Sequence, residues 1–262
     1  MNSLRLRPRV TAVACAVMLA VAGVAASARA ADVESLRAFD EANRLCATGS
    51  SPDDFRRAAI LFQSIIDRGD VSGAVLYDLG NAWQKAGDLG RALAAYRQAE
   101  RYRPRDPLLE NNTSQVLADL GVPPPARSMV ETLVFWRAWL SYPEQAWTFV
   151  GLSALAFALG LLALRGFTAA RRLAWATTVV ACVAGATLLL EVRDVAGTRH
   201  GVVVAGQTIA RKGNSESYSP AFTEPLKTGT EFVVAEKNGE WLRVRLANDL
   251  DGWVPASDVV TW

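Results

Sequence analysis

The sequence predicts a multi-domain membrane protein in which an α-solenoid, two transmembrane helices and a small all-β domain follow one another along the chain. Three observations predict this order. Two long apolar runs without charged residues lie in the middle of the chain. Before them the sequence repeats itself with a period typical of helical repeats, and after them apolar and polar residues alternate around an Asn-Gly turn.

The N-terminal segment predicts a secretory signal peptide over residues 1–30. Arginines precede an uncharged run over residues 10–24, and an Ala-Arg-Ala triplet forms a small-residue cleavage site before Ala31. An uncleaved membrane anchor is the alternative, because the uncharged run is long for a signal peptide. Cys15 does not fit a lipoprotein, since it lies too close to the arginines.

Charge and cysteine content exclude several classes of protein. Removal of residues 1–30 lowers the number of basic residues from 28 to 24, against 26 acidic residues. The net charge of the whole chain therefore gives no argument for binding nucleic acid or anionic lipid. Only Cys46 and Cys182 remain, and Cys182 lies within an apolar run, so we expect neither a structural disulfide nor a cysteine zinc site.

The two apolar runs predict transmembrane helices over residues 145–164 and 173–190. Neither run contains a charged residue, and each approaches the roughly 20 residues that an α-helix needs to cross a bilayer. Tryptophans near their ends are typical of an interfacial aromatic belt. These are Trp136, Trp139, Trp147 and Trp175. Buried helices of a soluble bundle are the alternative, which the lack of a polar face disfavours.

The connection over residues 165–172 predicts the orientation. It carries Arg165, Arg171 and Arg172 without an acid, and short arginine-rich loops stay in the cytoplasm. A cleaved signal peptide independently places the mature N-terminus outside. Both arguments put the flanking modules on the extracytoplasmic side. A Pro-rich linker with an interfacial helix is expected over residues 121–144, and a second linker over residues 191–200.

The helical region has the spacing of a known repeat. Residues 73–106 place small, aromatic and proline residues at the positions of the 34-residue tetratricopeptide repeat. These are Leu76, Leu79, Gly80, Trp83, Ala92, Tyr96, Ala99 and Pro104. Ala58 and Phe62 precede Ala92 and Tyr96 by 34 residues, which indicates an upstream copy with a short insertion near residues 50–53. With a capping helix over residues 107–120, residues 31–120 resemble a tetratricopeptide domain.

The first helices of such repeats form a concave face that usually binds a partner peptide. Tyr77, Asn81, Gln84 and Lys85 share one face of the predicted helix by their spacing. In peptide-binding members of the family, asparagines at the positions of Asn81 and Asn112 hold the ligand backbone. The lysines that grip a terminal carboxylate in those members are missing. A solvated helix face is the alternative interpretation.

A basic cluster follows on the second helix of the same repeat. It consists of Arg91, Arg97, Arg101, Arg103 and Arg105. Because Glu100 and Asp106 are interspersed among these arginines, we expect the cluster to be a solvated surface.

The C-terminal residues 201–262 predict a small β-barrel. A hairpin turn at Asn238-Gly239 is followed by alternating apolar and arginine residues over 242–246. The spacing of Gly229, Trp241 and Gly252-Trp253, with Ile209 at the first strand, resembles bacterial SH3-like domains. Trp241 and Trp253 either stack on a ligand or fill the barrel core.

The sequence contains no recognisable catalytic machinery. His200, the only histidine, lies in the predicted linker before the barrel. Nucleophile-elbow, Cys/His and phosphate-binding glycine motifs are absent from the sequence. We therefore expect a protein without enzymatic activity, cofactor or bound metal, and without nucleic acid as a partner.

The order of signal peptide, tetratricopeptide stack, two spans and SH3-like domain resembles the BatE family of the bacterial aerotolerance operon. The WRAWLS segment ahead of the first span adds to this resemblance, which covers the whole mature chain. It implies an inner-membrane complex with von Willebrand A-domain proteins and a MoxR-type ATPase, with a role in oxidative or envelope stress.

Three functions stay open at this point. The leading hypothesis is a non-catalytic scaffold of the bacterial inner membrane that binds protein partners through two periplasmic modules. The second is a membrane anchor whose SH3-like domain binds peptidoglycan peptides. The third is an enzyme with an unrecognised site.

Overall fold

A computed structural model describes residues 32–123, 136 and 139–262. The predicted signal peptide and most of the predicted linker over residues 121–144 lie outside the described residues. The chain forms two compact units, Met1–Val71 and Ser72–Trp262.

The first unit contains a helical hairpin of α1 (Asp32–Thr48) and α2 (Pro52–Asp67). Ser51 caps α2, since its hydroxyl accepts from the Asp54 backbone N–H while the Asp54 carboxylate accepts from the Ser51 N–H. The rings of Phe39 and Phe62 meet edge to face, with centroids 5.9 Å apart. Part of the predicted insertion near residues 50–53 belongs to α2, because the proline-led capping box starts the helix at Pro52.

The second unit begins with the helices α3 (Gly73–Lys85), α4 (Leu89–Glu100) and α5 (Pro107–Leu120). Side chains of Ser72, Asp88 and Asp106 cap their N-termini by accepting backbone N–H groups. Gly121 ends α5 in the left-handed conformation, with φ of 66°. Seven of the twelve residues of α4 are buried, including Gly90, Ala94 and Tyr96, while Arg91 is exposed, so most of this helix is covered.

Two long apolar helices follow, α6 (Tyr142–Leu164) and α7 (Thr168–Gly197). Both are long and apolar enough to cross a membrane, with a mean hydropathy of 2.0 over their candidate spans, Tyr142–Leu164 and Thr168–Leu190. Only 0% and 6% of these spans is buried inside the protein, which does not fit the buried helices of a soluble bundle. The two helices pack on each other, and an added Cβ at Gly185 would lie 2.8 Å from the Phe149 ring.

The ends of these helices differ from the predicted boundaries. The connection spans residues 165–167 instead of 165–172, because Thr168 already begins α7. The segment predicted as a linker over residues 191–200 is helical up to Gly197, and a single residue separates it from the first strand. The charged residues after Leu190 ended the apolar run without ending the helix.

The C-terminal part of the unit is an antiparallel five-stranded sheet with the order β6-β5-β4-β1-β7. Its strands are β1 (Arg199–Val203), β4 (Glu231–Asn238), β5 (Trp241–Arg245), β6 (Asp251–Pro255) and β7 (Val259–Thr261). β2 (Gln207–Thr208) and β3 (Leu226–Lys227) pair separately. The sheet is open, with β6 and β7 at its ends. The predicted hairpin joins β4 to β5, and Gly239 adopts φ of 58° in its turn.

One face of the sheet carries the core, which contains Val203, Phe232, Leu242, Val244 and Val254. The placement of Ile209 at the first strand is wrong. Ile209 follows β2 with 46% of its surface exposed, and its neighbour Ala210 fills the core instead.

The close approach of α3 and α4 generates a prediction at Gly80. An added Cβ would lie 2.3 Å from the Tyr96 ring, so Gly80→Ala should overpack the contact and lower the free energy of unfolding by about 1–3 kcal/mol. Thermal unfolding of the purified chain measures this. Gly151→Ala is the matched control, because a Cβ there meets nothing within 4 Å. Equal melting temperatures for the two variants would contradict the packing argument.

Candidate functional site

The predicted asparagines lie in one polar cluster on α3, α4 and α5, together with Tyr77, Gln84 and the buried Tyr96. The Asn112 amide donates to Asn81 Oδ1 at 2.9 Å and to the Tyr77 hydroxyl at 3.2 Å. The Tyr96 hydroxyl lies 2.8 Å from Asn81 Oδ1 and 2.7 Å from Gln84 Oε1. We call these five side chains the amide cluster.

The cluster is anchored from the buried side by Tyr96. Burial raises the pKa of the Tyr96 hydroxyl, so this group stays protonated and acts as a donor. A phenol has one proton and cannot donate fully to two acceptors. Rotating the Gln84 amide would place its NH2 against the phenol oxygen and satisfy both contacts.

Two groups of the amide cluster make no hydrogen bond among the described residues. Asn81 accepts both of its bonds at Oδ1, which leaves its NH2 donor, and Asn112 donates both of its bonds, which leaves its Oδ1 acceptor. Both asparagines are half-buried. One donor and one acceptor on adjacent helices match the C=O and N–H groups of an extended peptide backbone.

Three charged residues near the amide cluster are Arg103, which follows α4, and Asp78 and Lys85 on α3. The Arg103 guanidinium lies 4.9 Å from the centroid of the Tyr77 ring, within cation–π distance. Burial raises the pKa of the half-buried Asp78 carboxyl, and Arg103 opposes this shift. Lys85 is exposed in the last turn of α3. The structure therefore brings Tyr77, Asn81, Gln84 and Asn112 together, with Lys85 beside them.

The two tryptophans lie on the sheet face opposite to the core. Trp241 alternates along β5 with the buried Leu242 and Val244, and Trp253 lies beside the buried Val254 on β6. Both tryptophans are half-buried, and Arg243 pairs directly with Trp253 across the strands. The interpretation of these tryptophans as core residues is wrong, because strand alternation turns them away from it.

A further residue of this face was missed by the sequence analysis. Arg211 exchanges two backbone hydrogen bonds of 2.8 Å with Trp253, so its side chain is a cross-strand neighbour of that tryptophan. Trp253 is thus flanked by Arg211 and Arg243, and Arg243 forms a 2.8 Å ion-paired hydrogen bond to Asp251. Arg211 lies in an irregular segment without strand periodicity, so no sequence signal placed it there.

Helix α4 also contacts the sheet, through its glycine. An added Cβ at Gly90 would lie 2.9 Å from Val204 Cα and 3.1 Å from the Val203 carbonyl oxygen. Backbone therefore meets backbone, which only glycine permits. The end of α5 lies against the turn before β4, since an added Cβ at Gly229 would lie 2.7 Å from Leu120.

An ion-pair network closes the contact between α4 and the sheet. Arg97 donates to Glu231 of β4 at 2.8 Å and to Glu100 at 3.0 Å, and only 15% of its side chain is exposed. Burial raises the pKa of the Glu100 carboxyl, which Arg97 opposes. The prediction of a solvated basic cluster is therefore wrong for Arg97, because the partner Glu231 is remote in sequence.

Two residues of the basic cluster, Arg101 and Arg105, contact the start of the first candidate span. The Tyr142 backbone donates to the Arg101 carbonyl at 3.1 Å. Arg105 pairs with Glu144 at 2.5 Å, and its guanidinium lies 4.7 Å from the centroid of the Trp139 ring. The turn between α4 and α5 thus lies beside the first turn of α6.

Metal-binding geometry is not found in the part of the chain that the structure describes. There, no group of three or more His, Cys, Asp or Glu residues could hold a metal ion. His200 lies within β1 rather than in a linker, and its backbone exchanges hydrogen bonds with Trp262.

Comparison with known proteins gives no family for this chain. No family model matches the sequence, and no curated protein matches it.

The ion-pair network generates a prediction at Arg97. Arg97→Met leaves Glu100 and Glu231 without a counter-charge, and should lower the free energy of unfolding by about 1–3 kcal/mol, less than for a fully buried pair because Glu231 is partly exposed. Arg91→Met is the control, because Arg91 is an exposed partner of Asp88 on the same helix.

The deficit of Arg97→Met should depend on pH. When the pKa of a carboxyl is higher in the folded state than in the unfolded state, the free energy of unfolding increases as pH falls toward that pKa. It decreases as pH rises. Without Arg97 the pKa of Glu100 should rise further, so melting temperatures of variant and wild type should converge between about pH 7 and pH 5. A deficit that is constant over this interval would contradict the network.

Proposed function

We propose that this protein is a non-catalytic membrane scaffold of the BatE type. In this proposal α1 to α5 are a tetratricopeptide stack and the C-terminal strands are an SH3-like domain. Both hold protein partners at the surface of the bacterial inner membrane. The single observation that carries the proposal is the amide cluster, which presents an unused donor and an unused acceptor on neighbouring helices.

The amide cluster would bind a partner through its backbone. The Asn81 NH2 would donate to a peptide carbonyl, and the Asn112 Oδ1 would accept a peptide N–H. The bond between the Asn112 amide and Asn81 Oδ1 holds the two groups in place before the partner arrives. Such preorganisation reduces the entropy lost on binding. Because the contacts are to backbone, side-chain specificity would come from residues around the cluster, such as Tyr77 and Lys85.

The contact between α4 and the sheet supports one compartment for both modules. The helices α3 to α5 precede the candidate spans and the sheet follows them, yet Gly90 and Arg97 of α4 touch the sheet directly. Two modules in contact lie on the same side of a membrane. Arg165 of the short connection, with Arg171 and Arg172 in the first turns of α7, then favours the periplasm for both modules and the cytoplasm for the connection itself.

The partners implied by the resemblance are von Willebrand A-domain membrane proteins, and through them a MoxR-type ATPase. Neither partner requires catalytic chemistry from this chain. A scaffold of this kind would supply a fixed geometry, and the contacts of α4 with the sheet and of Arg105 with Glu144 provide it. A role in oxidative or envelope stress would follow from the complex.

One observation favours a second function, a cell-wall anchor. Trp241 and Trp253 lie on the open face of the sheet beside Arg243, where aromatic rings can stack on a ligand while a guanidinium pairs with a carboxylate. Peptidoglycan stem peptides carry such carboxylates. Sedimentation of the full chain with purified peptidoglycan tests this function, and Trp241→Ala with Trp253→Ala should abolish any sedimentation.

The scaffold proposal predicts the effect of substitutions in the amide cluster. Asn81→Ala with Asn112→Ala should reduce co-purification of von Willebrand A-domain proteins from solubilised membranes at least tenfold. Loss of their internal hydrogen bonds should cost about 1 kcal/mol each in unfolding free energy. Quantitative mass spectrometry of the captured complex measures the binding.

Tyr96→Phe is the matched control for this experiment. It removes the Tyr96 hydroxyl that bonds Asn81 and Gln84 but keeps the unused atoms of both asparagines. It should therefore lower stability without lowering capture. Equal capture by the double alanine variant and by wild type would show that the cluster is a solvated helix face.

The topology proposal predicts where reporters become active. Fusions at Asn111 and Asn248, on α5 and on the turn between β5 and β6, should both behave as exported, and a fusion at Thr168 should behave as cytoplasmic. Replacing Arg165, Arg171 and Arg172 by neutral residues should weaken this pattern. An exported reporter at Thr168 would invert the proposed orientation.

A further inference from the structure

A cavity lies where the last turn of α7 meets the sheet. It encloses about 410 Å³ and is lined by Gly197 of α7 and by residues of β1, β4, β5 and β7. Leu242 and Val259 contribute buried apolar surface, while Arg199 and Lys237 are exposed. The cavity therefore combines these two buried apolar side chains with two cationic side chains in a lining that is partly polar.

The charge of this cavity is positive. Neither Arg199 nor Lys237 forms an ion pair within the described part of the chain. The acid that lines the cavity, Glu236, lies 3.8 Å from the Arg243 guanidinium, which partly neutralises it. An anion that enters the cavity would meet two cations that have no counter-charge among the described residues.

The position of the cavity along α7 sets its height above a membrane. The second candidate span ends at Leu190 and the helix continues to Gly197, which is about 10 Å further at 1.5 Å per residue. The headgroup layer extends roughly 5–7 Å beyond the hydrocarbon on each side. The cavity would thus open just outside the headgroup layer, from where long basic side chains can extend toward the phosphates.

A third basic residue lies between the span and the cavity. Arg193 is exposed and precedes Gly197 by one helical turn, so both residues lie on the same face of α7. At three residues past Leu190 it would lie at the depth of the phosphates. Arg193 would then add a basic side chain between the bilayer and the cavity, next to the acids Glu191 and Asp194 in the sequence.

We propose that this cavity binds the phosphate headgroup of an anionic phospholipid in the leaflet next to the sheet. The two cations would pair with the phosphate. This inference rests on the membrane insertion that the proposed function includes, but not on the partners of the amide cluster. A lipid bound there would fix the sheet on the membrane surface.

Native mass spectrometry of the full chain in neutral detergent tests the site. Phosphatidylglycerol should bind in preference to phosphatidylcholine. Arg199→Gln with Lys237→Gln should weaken phosphatidylglycerol binding by about fivefold per charge, and by roughly 25-fold for both. Arg245→Gln with Lys212→Gln is the charge-matched control, because both residues are exposed on the same domain and neither lines the cavity. This control should bind lipid as wild type does.

Further measurements separate the possible failures. Unchanged phosphatidylglycerol binding by the Arg199 and Lys237 double variant, or equal binding of both lipids by wild type, would overturn the proposal. Displacement of the lipid by glycerol phosphate at equal concentration would assign the cavity to a soluble phosphate instead and would also overturn it. Alkaline extraction of membranes shows independently whether the chain is inserted, so loss of the proposed spans is distinguishable from loss of the lipid site.

Discussion

The packing of the second unit depends on the close approach of α4 to the end of β1 and to β4. Gly90 brings the backbone of the helix against the Val203 carbonyl and the Val204 Cα, where any Cβ would clash. Seven residues further along α4, Arg97 joins Glu231 on the same sheet. Small side chains between them, such as the buried Ala94, keep the distance short. The sheet thereby covers a face that a repeat helix would otherwise expose to water, and Arg91 stays exposed.

This packing gives α4 two functions at once. Tyr96 points its hydroxyl at Asn81 and Gln84 and anchors the amide cluster, while the next residue, Arg97, bonds the sheet. Successive residues of a helix lie about 100° apart, so neighbouring side chains can serve different faces. The rigidity of the candidate binding site and the docking of the sheet therefore depend on the same two turns of helix.

Local patterns in the sequence predicted the helices, the two candidate spans and the β4–β5 hairpin, because each depends on residues close along the chain. The docking of Arg97 was not predictable in this way, since Glu231 is 134 residues away. The end of α7 was misjudged for a different reason. Charged residues after Leu190 end hydrophobicity, whereas a helix needs only backbone hydrogen bonds and adequate propensity. The length of the apolar run predicted where the span ends but not where the helix ends.

The two side chains of the predicted SH3-like site illustrate the same limit. Trp241 and Trp253 were correctly placed on strands, but their face depended on register, and a shift of one residue would have reversed it. The pairing of Arg243 with Trp253 and of Leu242 with Val254 settles that register. Arg211 joins the face from an irregular segment through two backbone bonds, which no periodicity could reveal.

The same fixed geometry shapes what the sheet can do near a membrane. One residue separates α7 from β1, so the sheet cannot move away from the helix end without unwinding it. At the other module, Arg105 and the Arg101 carbonyl hold the first turn of α6. The start of α6 and the junction of α7 with β1 are therefore both fixed, and the contact of α4 with the sheet joins the two regions that carry them. In the proposed topology, a partner bound at the amide cluster and a lipid bound beside Gly197 would therefore both act on one body whose height above the bilayer is set by α7.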